Sequence, residues 1–485
     1  MTNTTDTAAR AADAQIPLCV DLDGTLIKSD VLVEGFLRLV KANILMLFAT
    51  LYWLLRGRAY LKAQIAQRSS LDIALLPYNQ LLLDWLRAER QCGRRLVLCT
   101  AANELVANRI ASHLGLFEAT LSSNDTLNLS GRRKAQLLQT RFGVGGFDYA
   151  GNALTDLHVW QVARRAIVVA PTHPLRRQLH RLPAIERQFA TESALFSPWL
   201  RALRLHQWAK NLLLFVPAVV SHRILELPVM SAACLAFVCF GLCASATYLI
   251  NDLLDLDADR AHARKRLRPF AAGELSLAQG LVCATGLLVI GIATAMLLLG
   301  SAFVAVLCLY VATTFWYSWV LKRIAMVDVL TLAALYTIRV IAGGAAVAVE
   351  PSFWLLAFSM FMFLSLGLVK RYTELRAALN SNLVDASGRG YTTDDLPLLV
   401  SCGTSAGFIS VLVMALYVNG GTEQLYKHPK ALWLLCPLML YWVCRVWRKA
   451  HRGELHDDPV VFAISDRPSW LVVCLCAVLI LIATR

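Results

Sequence analysis

Charge is scarce in this chain. Asp, Glu, Lys and Arg make up 16% of its 485 residues, against 57% hydrophobic. That balance is too apolar for an ordinary soluble protein of this size. Paired cysteines are missing too: the 13 cysteines are scattered, many in apolar stretches, and none forms a C-x-x-C pair. Their placement excludes a disulfide framework and a zinc site, and suggests a reducing, cytosolic side. Met1 to Pro17 lacks an apolar core, so no signal peptide is expected there, and residues 1–16 read as a disordered lead-in.

A net charge of +14 would suit nucleic acid, but its distribution argues otherwise. Positive residues crowd alternate loops: Arg260 to Arg268, Lys322 and Arg323, Lys370 to Arg389, and Arg445 to Arg467. The intervening loops hold little beyond Arg223, Lys427 and Lys430. This asymmetry places the basic loops and the front of the chain in the cytoplasm, and no nucleic-acid partner is expected. After residue 210, about nine apolar stretches are long enough to cross a hydrocarbon core of ~30 Å. They lie near 211–221, 230–250, 276–299, 301–320, 327–349, 352–369, 397–418, 431–447 and 469–483. The expectation is an all-α polytopic bundle over 198–485, in the plasma (bacterial inner) membrane, with Arg485 outside. A homo-oligomer is compatible with this reading.

The front of the chain follows a different pattern. Pro17–Asp23 reads as a short buried strand ending in Asp21 and Asp23, followed by Gly24 and Thr25. A second apolar run, Arg95–Cys99, ends at Thr100, and a third, Ala166–Ala170, follows Asp156. Strands alternating with helical stretches indicate an α/β, Rossmann-like domain with a parallel sheet, here 17–190. Its ligand site is expected beyond the carboxyl ends of the strands. Residues 30–90 would form a helical cap. The apolar run Ala42–Leu55 within it is either a buried cap core or a surface-seated helix that brings the domain to a bilayer.

The D-x-D-G-T motif, with Thr100, Lys134 and Asp156 following in order, resembles the haloacid dehalogenase-like phosphohydrolases over roughly residues 17–185. The resemblance implies Asp21 as nucleophile and metal ligand, Asp23 as general acid and base, and Thr100 as phosphoryl-binding. It implies Lys134 as the neutralising cation and Asp156 as a second ligand for Mg2+. Such a set meets the needs of phosphoryl transfer, which wants a nucleophile, a metal and a cation around one phosphate. The fourth motif departs from the family pattern: G-N-A-L-T-D offers Asn152 and Asp156, where two acidic residues are usual.

The run Asn251–Arg260, N-D-L-L-D-L-D-A-D-R, closes an apolar segment and opens a basic one. Carboxylates at such a lip are costly, which marks a functional site. On a helix, Asn251, Asp255 and Asp259 fall at i, i+4 and i+8, close to one face. Their oxygens, with Asp252, suit Mg2+, which commonly binds carboxylates together with substrate phosphates. N-D-x-x-D-x-x-x-D in this place resembles the UbiA superfamily of intramembrane prenyltransferases, over about residues 198–485. That family's motif binds Mg2+ and a diphosphate, which implies reaction roles for Asp255 and Asp259.

Further stretches are similar to one branch, the decaprenyl-phosphate phosphoribosyltransferases. These are R-L-H-Q-W-A-K-N at 204–211, the basic continuation to Gly273, I-R-V-I-A-G-G at 338–344, K-R-Y-T-E-L at 370–375, Y-T-T at 391–393 and S-D-R at 465–467. A charge argument agrees. Where aromatic prenyltransferases carry a second Asp-rich run, Lys370–Arg376 holds one carboxylate among three cations, which suits several phosphates better than an aromatic ring. Candidate phosphate-binding residues are therefore Lys210, Asn251, His262, Lys265, Arg268, Arg339, Lys370 and Arg371. His206 and Trp208 read equally as interfacial anchors.

The resemblances imply a Mg2+-dependent, bifunctional membrane enzyme. It would transfer 5-phosphoribose from phosphoribosyl pyrophosphate to a polyprenyl phosphate, then dephosphorylate the lipid-linked ribose, at raised effective concentration because the domains are joined. The product would be a ribose donor for cell-surface glycan assembly. The alternatives are a prenyltransferase acting on an aromatic acceptor, and a transporter or lipid-binding protein with a vestigial front domain.

Overall fold

The computed structural model describes residues 15–182, 184–189, 196–380, 390–420, 426–455 and 459–484. Most of the expected lead-in, parts of two basic loops (381–389 and 456–458) and Arg485 lie outside them. Two compact units form: one takes in the chain up to Leu203 together with Leu249–Cys283, the other Arg204–Tyr248 with Ala284–Arg485. The Asp-rich run, although continuous with a membrane-length helix, therefore packs with the first unit.

In that unit six parallel strands stand in the order β3-β2-β1-β4-β5-β6. They are β1 Leu18–Val20, β2 Leu96–Asn103, β3 Ala119–Ser123, β4 Asp148–Gly151, β5 Ala166–Val169 and β6 Ile185–Phe189. The central strands are buried on both faces, as parallel sheets flanked by helices are: Leu18, Cys19, Val20, Leu96 and Tyr149 are fully buried. The strand order turns at β1, which pairs with β2 (Val20 opposite Leu98) and with β4 (Val20 opposite Ala150). The crevice beyond the carboxyl ends of β1, β2 and β4 is thus the expected ligand position.

The cap consists of α1 Val31–Ala42, α2 Met46–Leu55, α3 Arg58–Arg68 and α4 Gln80–Gln91. Asp30 caps α1 by accepting from Leu32 and Val33 N–H, and Asn79 caps α4 through Leu82 N–H, the usual service of Asx side chains to orphan donors. Of the two readings of the 42–55 run, a buried cap core fails for most of α2. Phe48, Leu51 and Leu55 are 69%, 60% and 82% exposed, whereas Trp53 packs inward against Leu39 and Ile65.

Eight helices among the described residues are long and apolar enough to cross a membrane. They are Leu227–Leu254, Leu277–Leu298, Ser301–Trp319, Val327–Val347, Phe353–Leu379, Thr393–Gly420, Pro429–Arg452 and Arg467–Thr484. The first of the nine stretches expected from the sequence, 211–221, differs. It is a 3-10 helix, Leu205–Phe215, running into the short helix Val216–Val220. Pro217 in that first turn has no N–H to return to the preceding turn, so one long α-helix is interrupted there. The backbone at Leu214 instead lies against Gly343, where a Cβ would stand 2.1 Å from the Leu214 carbonyl oxygen.

Candidate active sites

At the end of β1 the chain turns through Gly24, whose φ of +74° favours glycine and whose missing side chain leaves room for the Asn152 amide. The turn presents Asp21. Its Oδ1 accepts from Leu22 N–H and from Lys134 Nζ, both at 2.9 Å. Lys134, at the start of α6 (Arg132–Phe142, with α5 at Glu104–Leu114 before it), is buried. Its Nζ also donates to Tyr149 Oη at 2.9 Å and lies 4.0 Å from Asp156 Oδ1. Asp156 is held on both oxygens: Tyr149 Oη donates to Oδ1 at 3.0 Å, and Asn152 and Ala153 N–H to Oδ2 at 3.1 and 3.0 Å. Thr100, fully buried within β2 three residues before its end, accepts from Ala102 N–H at 3.0 Å. Asp23 Oδ1 accepts from Val31 N–H, the first residue of α1, at 2.9 Å.

The electrostatics separate the two aspartates. Burial pushes the Asp21 carboxyl up to about 6, against the pull of Lys134 and with a push from Asp156. Burial also raises Asp23 well above the carboxylate range, helped by the charge of Asp30. Burial opposes the charge on Lys134, but Asp21 and Asp156 outweigh it and keep the ammonium protonated. A carboxylate kept beside a permanent cation and a carboxyl that holds its proton are environments suited to a nucleophile and an acid.

A cavity opens at Asp23, lined by Asp30, Lys62, Ser69 and Asn103 and by a larger apolar share that includes Val31, Leu32, Ile65 and Val106. Lys62 Nζ donates to Ala101 O and Asn128 Oδ1 at 2.6 and 2.8 Å. Asn103 Nδ2 and Ser69 Oγ are buried with no hydrogen-bond partner among the described residues. Buried polar atoms are normally satisfied, so these two are exceptions in the packing beside the cavity. The sequence carried no signal for Lys62, Ser69 or Asn103.

The Asp-rich run does not form one continuous helix. Helix Leu227–Leu254 ends, Asp255 sits at φ −99° and ψ 17°, and a short helix covers Leu256–Ala261. The i to i+4 spacing survives, because Asp255 N–H bonds Asn251 O and Asp259 N–H bonds Asp255 O, each at 2.9 Å. Arg268 Nη1 stands between two buried carboxylates, 3.0 Å from Asp252 Oδ1 and 2.7 Å from Asp259 Oδ2. Burial raises the Asp259 pKa, and Arg268 works against that rise. Asp255 Oδ1 meets Lys41 Nζ at 3.0 Å instead. His262 is exposed, and its Nδ1 accepts from Arg264 N–H at 3.2 Å, so it caps the turn that carries Lys265.

Among the described residues no three His, Cys, Asp or Glu side chains converge as a ready metal cage. Mg2+ needs no such cage: it usually takes one or two carboxylates and completes its shell with water and substrate phosphate. The hard-oxygen pairs Asp21 with Asp156, and Asp252 with Asp259, each already gathered around a cationic nitrogen, fit that requirement.

In the second unit the other candidates fall into two groups. Lys210 Nζ lies 5.5 Å from the Tyr336 ring centroid, and the Arg339 guanidinium 5.6 Å from the same ring. Arg339 donates to Asn211 Oδ1 at 3.1 Å, Leu335 O at 2.6 Å and Tyr310 Oη at 3.0 Å. Arg371, next to Lys370, spends its guanidinium on Asp328, Glu374 and Tyr317 Oη. Tyr391 Oη donates to the other Asp328 oxygen at 2.5 Å. Arg371 is thus tied into a buried network, and Asp328, fully buried, is its unexpected centre. An acid at the start of an apolar stretch was the available signal for it. Trp208 donates to Ser245 Oγ at 2.9 Å and its ring packs on Gly241, which makes it a packing residue in this fold.

Eight membrane-length helices with an Asp-rich run, and a six-stranded parallel α/β domain in which Asp21 meets Lys134, make up a membrane transferase with an α/β front domain. The chain belongs to the UbiA prenyltransferase family, which it matches over residues 213–465. It is 39% identical over 468 residues to an uncharacterized protein of Sinorhizobium fredii, covering 96% of this chain and 90% of that one. It is 37% identical over 183 residues to decaprenyl-phosphate phosphoribosyltransferase of Mycobacterium tuberculosis, a match spanning 37% of this chain and 60% of that enzyme. The front domain resembles a HAD family hydrolase from Salmonella enterica at 14% identity and a TM-score of 0.27, covering 36% of this chain and 68% of that one.

Proposed function

We propose that the chain is a Mg2+-dependent enzyme of two steps. The membrane bundle transfers 5-phosphoribose from phosphoribosyl pyrophosphate to a polyprenyl phosphate, and the front domain removes the 5-phosphate from the lipid-linked product. Both sites would face the cytoplasm at the plasma (bacterial inner) membrane. The carrying observation is the cavity at Asp23, where Lys62 and Asp30 line the wall beside apolar Val31, Leu32, Ile65 and Ala66. A wall that mixes apolar side chains with a carboxylate and an ammonium suits a phosphate ester that is polar at one end and apolar at the other. The 37% identity to a decaprenyl-phosphate phosphoribosyltransferase supports the same donor and acceptor. The exposed apolar face of α2 supports a lipid-borne substrate.

In the first step, an oxygen of the polyprenyl phosphate attacks C1 of the ribose, the bond from C1 to the pyrophosphate oxygen breaks, and pyrophosphate departs. Asp252, Asp255, Asp259 and Asn251 would hold Mg2+, which supplies charge stabilisation for the leaving group. Arg268, already between Asp252 and Asp259, and Lys265 add positive charge where pyrophosphate charge develops. In the second unit, phosphate binding is assigned to Lys210, Arg339 and Lys370 on the family resemblance, and Arg371 positions its neighbours through Asp328.

In the second step, Asp21 attacks phosphorus and the bond from phosphorus to the ribose 5-oxygen breaks. Asp23 gives its proton to that oxygen. Water, deprotonated by Asp23, then releases phosphate from Asp21. Lys134 and Thr100 hold the phosphoryl oxygens, and Asp21 and Asp156 would hold the metal.

The test supplies purified protein with Mg2+, labelled phosphoribosyl pyrophosphate and polyprenyl phosphate, and follows label into the lipid phase. Wild type should form labelled lipid and Asp255→Ala should not. Asp21→Asn should transfer normally and accumulate the phosphorylated lipid. Folded wild type that forms no labelled lipid refutes the transfer step, and an Asp21→Asn product lacking its phosphate refutes the second.

A further inference from the structure

We propose that cap helix α1 is part of the transferase site: Lys41 binds the diphosphate of the donor, and Glu34 and Arg38 position it there. This rests on the reading above that 251–259 takes a diphosphate with Mg2+.

Glu34, Arg38 and Lys41 fall at i, i+4 and i+7, one face of a helix. Each meets a partner on the run that follows Leu254. Glu34 receives both guanidinium ends of Arg260, at 2.7 and 2.9 Å. Arg38 Nη2 reaches Asp257 Oδ1 at 2.5 Å, and Lys41 Nζ reaches Asp255 Oδ1 at 3.0 Å. Positions rise along α1 as their partners fall along the run, so the two segments lie antiparallel in register over these contacts. Chance pairing of surface charges does not produce three ordered contacts between segments more than 200 residues apart.

Burial divides the labour. Arg260 and Glu34 are 6% and 2% exposed, Arg38 and Asp257 20% and 37%, and Lys41 and Asp255 32% and 18%. The sealed pair anchors the helix, while the Lys41 end keeps contact with solvent. A partly exposed lysine pair adds little to stability. Lysine is, however, a compact cation on a flexible stem with three donors, well suited to a phosphate oxygen. Metal binding at Asp255 would free the ammonium to follow the diphosphate over a few ångströms. The front domain thereby contributes a residue to the first reaction as well as carrying out the second.

The experiment titrates full-length wild type, Lys41→Met and Lys41→Arg with inorganic pyrophosphate in the presence of Mg2+, by calorimetry. Exposed Arg90 on α4, far along the chain from these contacts, provides the Arg90→Met control. Lys41→Met should weaken pyrophosphate roughly tenfold, the loss of one charge-assisted contact. Lys41→Arg should recover most of that, and Mg2+ alone should bind Lys41→Met no more weakly than wild type, since a competing cation is gone. A merely structural Lys41 would not separate pyrophosphate from Mg2+ in this way. Pyrophosphate affinity in Lys41→Met equal to that of Arg90→Met overturns the inference. Wild type that binds pyrophosphate tightly through Lys41 yet transfers no phosphoribose keeps Lys41 in place and refutes only the choice of donor.

Discussion

Replacing Glu34 by alanine tests whether the cap is held by a buried charge pair. Arg260 reaches Glu34 through two nitrogens, both side chains are nearly sealed from water, and Ser29 Oγ also donates to Glu34. Removing one partner of such a pair leaves a charge desolvated and unmatched, at a cost of about 3–5 kcal/mol. At about 1.4 kcal/mol per decade, the population with the cap open should rise on the order of a hundredfold to a thousandfold or more. Limited trypsin digestion of the detergent-solubilised protein reads that population directly when opening and closing outpace cleavage. Asp84→Ala supplies the scale. Its partner Arg87 lies at 2.9 Å, but the two are 52% and 67% exposed, so the loss should be about 0–1 kcal/mol and the rate change at most about fivefold. Glu34→Ala with Arg260→Met should recover most of the loss, because neither charge is then left alone. A Glu34→Ala cleavage rate within threefold of that for Asp84→Ala would refute the assignment.

Hydrolysis of a small phosphomonoester should show an acid limb set by Asp21. Its raised pKa of about 6 leaves the nucleophile protonated below that pH, so activity rises as pH climbs through about 6. Added Mg2+ favours the carboxylate and should move the midpoint lower; a midpoint that ignores Mg2+ would contradict metal binding at Asp21. In the second unit, Asp328→Asn should remove the buried one of the two carboxylates that pair with Arg371 and shorten the thermal-inactivation half-life of transferase activity. The cost is about 3 kcal/mol, and an unchanged half-life would show that Glu374 and Tyr317 suffice.

What the sequence disclosed was mostly local. Asp21 and Asp23 follow the apolar triplet of β1 and Gly24 sits at a turn with positive φ, whereas β2 runs on past Thr100 to Asn103. The long apolar helices were legible because hydrocarbon thickness dictates their length. Strands β3, β4 and β6 escaped notice. Ala119–Ser123 and Ile185–Phe189 carry polar residues on short sheet-edge segments, and Asp148–Gly151 opens with a buried aspartate. The stretch 211–221 has the apolar content of a span, but Pro217 within it interrupts the helix. Least legible were contacts between distant positions. Nothing in Glu34 or Lys41 taken alone announces Arg260 or Asp255, and the cavity at Asp23 exists only once Lys62 and Asn103 are brought to it.

The antiparallel register of α1 against residues 255–260 also bears on how such genes can be arranged. Division of the coding sequence near residue 190 would hand Glu34 to one polypeptide and Arg260 to the other. Each product would then carry half of a sealed ion pair. Separately encoded halves are expected to remain obligate companions, and changes at positions 34 and 260 to be inherited together.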